Sequence, residues 1–229
     1  MPAGPDPLAP RLAGQLRRVN ADDLIDDADA PEWTGLTVHG DLAGWEAEGL
    51  TVEGCRLTGL QLTGARLAGA RFSDVLLESC ELSGAVLERL ALTRVELRQC
   101  RLAGAVLGGA RFRHVRLVGC KLDGAVLANL DAEHVVLSGS MLGTCDLRGA
   151  RLAGATVEDC DLTGADVAGA TLTGARLHGS HLDGLRGVRS LKGAEIDSVQ
   201  VLAVAPLLLA EAGIVVSDGT GFAPGGASR

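Results

Sequence analysis

A hydrophobic residue recurs at every fifth position over more than half of the chain. The series runs from Leu57 to Leu182 without an insertion, and 23 of its 26 members are Leu or Phe. The residue two places before each member is small or apolar, as at Cys55 and Ala65, and none of these positions is charged. The residue two places after it is most often Gly, so the repeat approximates Ala-x-Leu-x-Gly. A period of five fits neither a helix face nor a strand face, so the chain must turn about once per pentad.

A slower period of twenty residues gives the number of sides. Cys80, Cys100 and Cys120 stand twenty residues apart, and triplets such as Ala-Val-Leu repeat at the same interval. Four pentads therefore form one coil of a solenoid. Weaker pentads extend the register to 29 pentads between Leu42 and Leu182, a little over seven coils. At a spacing of ~4.8 Å between neighbouring strands, the rod would be about 35 Å long.

The stretch from about Asp41 to Leu185 resembles the pentapeptide-repeat proteins in this whole series of pentads. The resemblance implies an all-β solenoid, namely a right-handed, four-sided parallel β-helix. In such a helix the central residue of each pentad and the residue two places before it point inward. The best-characterised members imitate duplex DNA, bind the DNA-gate region of gyrase and protect it from quinolones. The resemblance thus suggests DNA gyrase or another type II topoisomerase as a protein partner. Function depends on the outward residues, which vary freely on such a scaffold.

The charge pattern departs from that of a uniform DNA mimic. Duplex DNA carries one charge per ~1.7 Å, so a rod of this length would need roughly 20 uncompensated acids. Residues 41–190 hold 18 acids and 16 bases, whereas residues 89–121 alone hold one acid and eight bases. We call these eight residues the basic waist: Arg89, Arg94, Arg98, Arg101, Arg111, Arg113, Arg116 and Lys121. The waist either binds an acidic partner or pairs with acids on adjacent coils.

One outward stripe is apolar. Val86, Val106 and Val126 stand one place before their pentad centres at intervals of twenty, with Gly108 and Ala128 beside them. Such a stripe on a water-facing side is either a docking surface for a protein partner or a consequence of the strand propensity of valine. The alternative to a topoisomerase-directed protein is therefore a scaffold that binds another protein through the waist or this stripe.

The flanks lie outside the strict repeat. We expect a flexible segment with a short amphipathic helix (Leu12, Leu16 and Val19) over residues 1–34, the β-helix over 35–186, a helical segment over 187–216 and a flexible tail over 217–229. The helical segment is expected to contain two helices, one capped by Asp197 or Ser198 and one beginning near Pro206 and closed by Gly213. It covers the solenoid end, or covers it and also forms a homodimer. The residues expected to carry this role are Val199, Leu202, Leu207, Leu208 and Ile214.

Composition and spacing argue against several other functions. A net charge of −8 and only five aromatic residues disfavour direct binding of nucleic acid. The longest apolar run, residues 201–210, is too short to span a membrane. All six cysteines fall at inward positions 15 to 25 residues apart, which disfavours a zinc site and suits a reducing cytoplasm. With no catalytic constellation in the sequence, we expect a cytoplasmic non-enzyme without a cofactor or metal.

Overall fold

The computed structural model describes residues 6–25 and 31–217, and their main element is a solenoid of parallel strands. The longest strands cover eight residues, and most of the others cover three. The strands are β1 (Arg17–Asn20), β2 (Glu32–Thr34), β3 (Leu36–His39), β4 (Glu46–Glu48), β5 (Thr51–Glu53), β6 (Arg56–Thr58), β7 (Arg66–Ala68), β8 (Arg71–Glu78), β9 (Ala91–Arg98), β10 (Arg111–Val118), β11 (Asp131–Ser138) and β12 (Thr156–Glu158). Two 3-10 helices (Ala21–Leu24 and Val188–Leu191) and one α-helix, α1 (Val201–Glu211), complete the described elements.

Four columns of parallel pairing define the four sides of the solenoid. We name the sides A to D after the columns that contain Asp41, Glu46, Thr51 and Arg56, each of which pairs with the residue twenty places later. On side A the column continues in steps of twenty from Asp41 to His181, which gives seven steps between coils. The expected four-sided parallel solenoid of about seven turns is therefore confirmed.

The core is a stack of leucines inside the coils. The centre Leu107 is 1% exposed, and Ala105, two places before it, is fully buried. Because each pentad contributes two inward side chains, the interior is filled from one coil to the next, and the apolar column between residues 112 and 191 encloses only about 40 Å³ of free space. The chemistry of the molecule must therefore lie on the outward residues and at the ends.

The corner between sides C and D carries side chains where the repeat favours glycine. Asp74, Arg94, His114 and His134 occupy this corner on four successive coils with φ between 52° and 56°, a left-handed conformation that costs a non-glycine residue about 1–2 kcal/mol. The strands β8 to β11 run through this corner without interruption, which explains their length of eight residues. The stacked coils hold these residues in this conformation.

The N-terminal segment joins the solenoid, and the helix expected over Leu12 to Val19 is wrong. Arg17–Asn20 forms strand β1, which pairs in parallel with β3 on side D. The offset between these strands is nineteen residues, as it is between β3 and β6. The parallel pairing therefore begins before the expected boundary at residue 35. The five-residue register does not predict this pairing, because a coil that is one residue short breaks the register. Residues 1–5 and 26–30 lie outside the described part of the chain.

The C-terminal segment also differs from the expected pair of helices. Pairing continues past residue 186, since Glu195 pairs with Arg176 at an offset of nineteen. A single helix, α1, follows and contains Pro206 in its interior. The proline nitrogen cannot donate a hydrogen bond, so α1 lacks one backbone hydrogen bond there but continues to Glu211. Gly213, at φ 72°, closes α1 as expected, and the Ile214 N–H donates to the Leu209 carbonyl at 2.9 Å. Residues 218–229 of the expected tail lie outside the described ranges.

Candidate functional site

Half of the basic waist is paired with acids on the same or adjacent coils. The closest pairs join Arg94 to Asp74 at 2.5 Å, Arg113 to Asp131 at 2.7 Å, and Arg98 to Glu96 at 2.9 Å. A looser pair joins Arg101 to Glu81 at 3.6 Å. These four arginines therefore form ion pairs within the solenoid, and their role in binding a partner stays a prediction.

The other four waist residues do not form one surface. Arg111 and Arg116 lie on sides C and D, Lys121 lies on side A, and Arg89 occupies the corner between sides B and C. Within the described ranges no salt bridge to an acid is formed by these four side chains. Arg89 and Arg111 line one depression at the corner between sides B and C, whereas Arg116 and Lys121 lie on sides D and A, so the four residues do not assemble a single basic patch.

The valine stripe is one continuous ladder. Val86 pairs with Val106, and Val106 pairs with Val126, in parallel bridges on side B. All three side chains are half-buried, and Gly108 and Ala128 are partly exposed beside them. The valine ladder therefore presents a flat apolar surface over three coils.

The C–D corner holds the N-terminal segment against the solenoid. The Arg11 N–H donates to Asp74 Oδ1 at 3.0 Å, and the Leu8 N–H donates to His114 Nδ1 at 3.4 Å. Hydrogen bonds from the Arg94 guanidinium and from the Arg11 N–H hold the pKa of Asp74 below its usual range, although burial of the carboxyl opposes them. The sequence places His114 and His134 at one corner, and their rings stack at 4.6 Å. No pattern in the sequence predicts that the N-terminal segment attaches to this corner.

The six cysteines are buried thiols. Each of them is free and at most 1% exposed. Burial raises the pKa of Cys145 to about 12 and that of Cys160 to about 11, so both remain protonated and unreactive at neutral pH. Across residues 6–25 and 31–217, no three side chains of His, Cys, Asp or Glu are grouped closely enough to hold a metal ion.

The C-terminal helix covers the solenoid end with little of its surface. Val204 is buried and Leu207 packs on the core, whereas Leu202 is 80% exposed. Gln200 lies before the helix, and its Nε2 donates to the Leu177 and Ser180 carbonyls. The expected cap residues Val199, Leu208 and Ile214 are also exposed. Val204, Leu207 and Gln200 thus contact the solenoid end, and the exposed side chains leave an apolar surface on the outside.

No helix among the described residues is long and apolar enough to cross a membrane.

Among curated proteins, no significant match to the chain was found. Two solved structures illustrate the similarity. HetL, a pentapeptide repeat protein involved in heterocyst differentiation regulation from the cyanobacterium Nostoc sp. strain PCC 7120, is 23% identical, with a TM-score of 0.48 over 80% of this chain and 88% of its own. Full-length QnrB1, a plasmid-mediated fluoroquinolone resistance protein, is 22% identical, with a TM-score of 0.45 over 84% of this chain and 94% of its own.

The family assignment rests on the repeats. Eight copies of the family model for pentapeptide repeats match residues 55–89, 91–129 and 145–184, about half of the chain. These ranges coincide with the coils that pair in steps of twenty residues. The chain belongs to the pentapeptide-repeat family.

Proposed function

We propose that this protein is a non-enzymatic, protein-binding rod and that the valine ladder on side B is its recognition surface. The observation that carries the proposal is the run of three outward valines on consecutive coils, with Gly108 and Ala128 beside it. Neighbouring positions in the same column are charged, at Arg66 and Asp146. An apolar stripe bounded by charge is typical of a protein-binding patch.

The geometry of the ladder favours a helical partner. Its valines repeat at ~4.8 Å along the rod, and side chains one turn apart on an α-helix repeat at ~5.4 Å. An amphipathic helix laid along the rod can therefore place three successive apolar side chains against Val86, Val106 and Val126. The absence of large side chains at Gly108 and Ala128 leaves room for its flank.

Two matched variants test this surface. A photo-crosslinking residue at position 108 identifies the partner, and the affinity of the purified pair is then measured for Val106→Lys and Val136→Lys. Val136 is an equally half-buried outward valine on side D. We expect Val106→Lys to weaken binding at least tenfold, because it places a charge in the apolar contact, and Val136→Lys to leave it unchanged. Equal affinities of both variants and the parent would exclude the ladder as the recognition surface.

A second candidate is a modulator or protector of DNA gyrase or another type II topoisomerase. It is supported by the family resemblance and by acids in the C-terminal half that lack a Lys or Arg salt-bridge partner among the described residues: Asp123, Glu158, Asp159, Asp161 and Asp183. They extend over three coils, about 14 Å of rod, where duplex DNA would present roughly eight charges. The match to DNA is therefore local and partial.

A gyrase supercoiling and cleavage assay, with and without a quinolone, tests this candidate. Inhibition or protection at about equimolar protein would support it, and the doubly neutralised variant Asp159→Asn/Asp161→Asn should then lose most of the effect. Neutralising the paired Asp166 with Asn is the matched control, because Arg186 already compensates that charge. An inactive protein at large excess over gyrase would refute the candidate.

We also propose a homodimer through the C-terminal segment and a location in the reducing cytoplasm. The dimer is supported by the exposed apolar side chains of Val199, Leu202, Leu208 and Ile214, and the location by the six free thiols. Light scattering should give twice the chain mass for the parent and the monomer mass for Leu202→Lys. A parent that stays monomeric at high concentration would contradict the dimer, and recovery outside the cytoplasmic fraction would contradict the location.

A further inference from the structure

The N-terminal segment forms one wall of a groove on side D. The groove has a volume of about 670 Å³ and lies between residues 12–16 and the first coils of the solenoid. Leu12 and Leu16 line its apolar wall. Its floor is polar and includes Arg18, Thr37 and Arg56. An open groove with one apolar wall and a few converging polar groups can hold a small molecule that has an apolar part and a polar part.

Two side-chain nitrogen atoms of residues that line the groove lack hydrogen-bond partners among the described residues. Arg56 Nε and His39 Nδ1 are both buried and form no hydrogen bond to any described residue. Arg56 contacts Glu78 through its terminal nitrogen at 3.7 Å, so this loose pair leaves Nε free. A buried guanidinium N–H without an acceptor is costly, and an anionic ligand would supply the acceptor once the Arg56 side chain turns toward the groove.

The strand register aligns the two arginines on one site. Arg18 pairs with Thr37, and Thr37 pairs with Arg56, so the three side chains follow one another on adjacent rungs of side D. The arginines are therefore about 9.6 Å apart along the rod, with the short threonine between them. Two long guanidinium side chains at this spacing can lean over Thr37 and bind one anion from both sides, and the threonine hydroxyl can donate from below.

We propose that this groove binds a small molecule that carries a phosphate monoester on an apolar body. Two arginines match the double charge and the several oxygens of a phosphate better than the single charge of a carboxylate. Glu78, the acid at the groove, lies 3.7 Å from Arg56 and 3.9 Å from Arg98, so it offsets part of the charge of the two arginines and leaves the groove positive. Leu12 and Leu16 would contact the apolar body of the ligand.

Calorimetric titration with three probes tests the proposal. Inorganic phosphate probes the anion site alone, phenyl phosphate adds an apolar body, and benzoate replaces the phosphate with a carboxylate. We expect phenyl phosphate to bind at least tenfold more tightly than benzoate and measurably more tightly than inorganic phosphate. Benzoate binding as tightly as phenyl phosphate, or no binding of either phosphate at millimolar concentration, would overturn the proposal.

Three variants locate the site. Arg18→Gln and Arg56→Gln should each weaken phenyl phosphate binding at least tenfold, whereas Arg66→Gln, at an exposed arginine on side B, should not. Leu16→Ala should weaken phenyl phosphate but leave inorganic phosphate unchanged. Thermal melting without ligand separates misfolding of Arg56→Gln from loss of the site, and Arg18→Gln supplies the second test. If Arg18→Gln binds phenyl phosphate as tightly as the parent, the groove on side D is not the phosphate site. This result would not depend on whether the valine ladder on side B binds a partner.

Discussion

Replacing Leu107 with alanine should destabilise the protein strongly, because this side chain fills the middle of the solenoid. It is 1% exposed, and its counterparts Leu87 and Leu127 on the adjacent coils are 2% and 3% exposed. The substitution removes three buried carbons, worth about 2.4 kcal/mol of transfer free energy. The coils are fixed by hydrogen bonds to their neighbours, so the cavity can collapse only partly, and the total loss should be about 3–4 kcal/mol.

Urea unfolding followed by circular dichroism measures this loss. The midpoint should fall while the slope with urea stays constant, since the surface exposed on unfolding is nearly unchanged. Cys100→Ala is the matched control at a fully buried position, and it should cost only about 1 kcal/mol because it removes a single sulfur atom. A loss below about 1 kcal/mol for Leu107→Ala, or an equal loss for Cys100→Ala, would refute the filled core with leucines at its centre.

Two further predictions concern backbone and charge. Gly187→Ala should destabilise the last coil far more than Gly104→Ala destabilises its own coil. Both glycines have a left-handed φ, but a Cβ at Gly187 would lie 2.4 Å from Ala168 Cα. Hydrogen exchange measures the protection of the last coil, and equal protection in both variants would contradict the prediction. Asp74→Asn should cost about 2 kcal/mol at pH 7. The folded-state pKa of Asp74 is depressed, so its contribution is present above the unfolded pKa of ~3.9 and is lost as the pH falls through the folded pKa. The difference in unfolding free energy between parent and variant should therefore be largest at pH 7 and shrink as the pH falls below ~3.9. A difference that stays constant over this range in urea unfolding would contradict the role given to the Asp74 carboxylate.

The solenoid could be predicted from sequence because its core is set by side chains at fixed intervals. Every coil with twenty residues repeats the same two inward positions per side, so the hydrophobic period reports the fold directly. The ends could not be predicted in this way. Coils of nineteen residues at both ends shift the period by one, and they hide β1 and the pairing of Glu195 from a search in steps of five.

The positions of the outward residues could be predicted from the repeat, but the salt bridges between their side chains could not. The positions of Val86, Val106 and Val126 follow from the period, and the structure places them in one ladder. Whether a waist arginine is paired depends on the rotamer of an acid on the same or an adjacent coil, which the sequence does not specify. Arg94 pairs with Asp74 in the preceding coil, whereas Arg111 has no salt bridge among the described residues.

The two proposed sites arise from different features of the same scaffold. The valine ladder uses the regular stacking of coils, which turns single outward residues into a continuous surface. The phosphate groove depends on the irregular first coil, because the nineteen-residue offset aligns Arg18 with Thr37 and Arg56 and the attached N-terminal segment supplies the apolar wall. Inserting one residue before Thr37 would shift Arg18 relative to this column and should abolish phosphate binding. The valine ladder begins more than two coils later, so its partner should still bind.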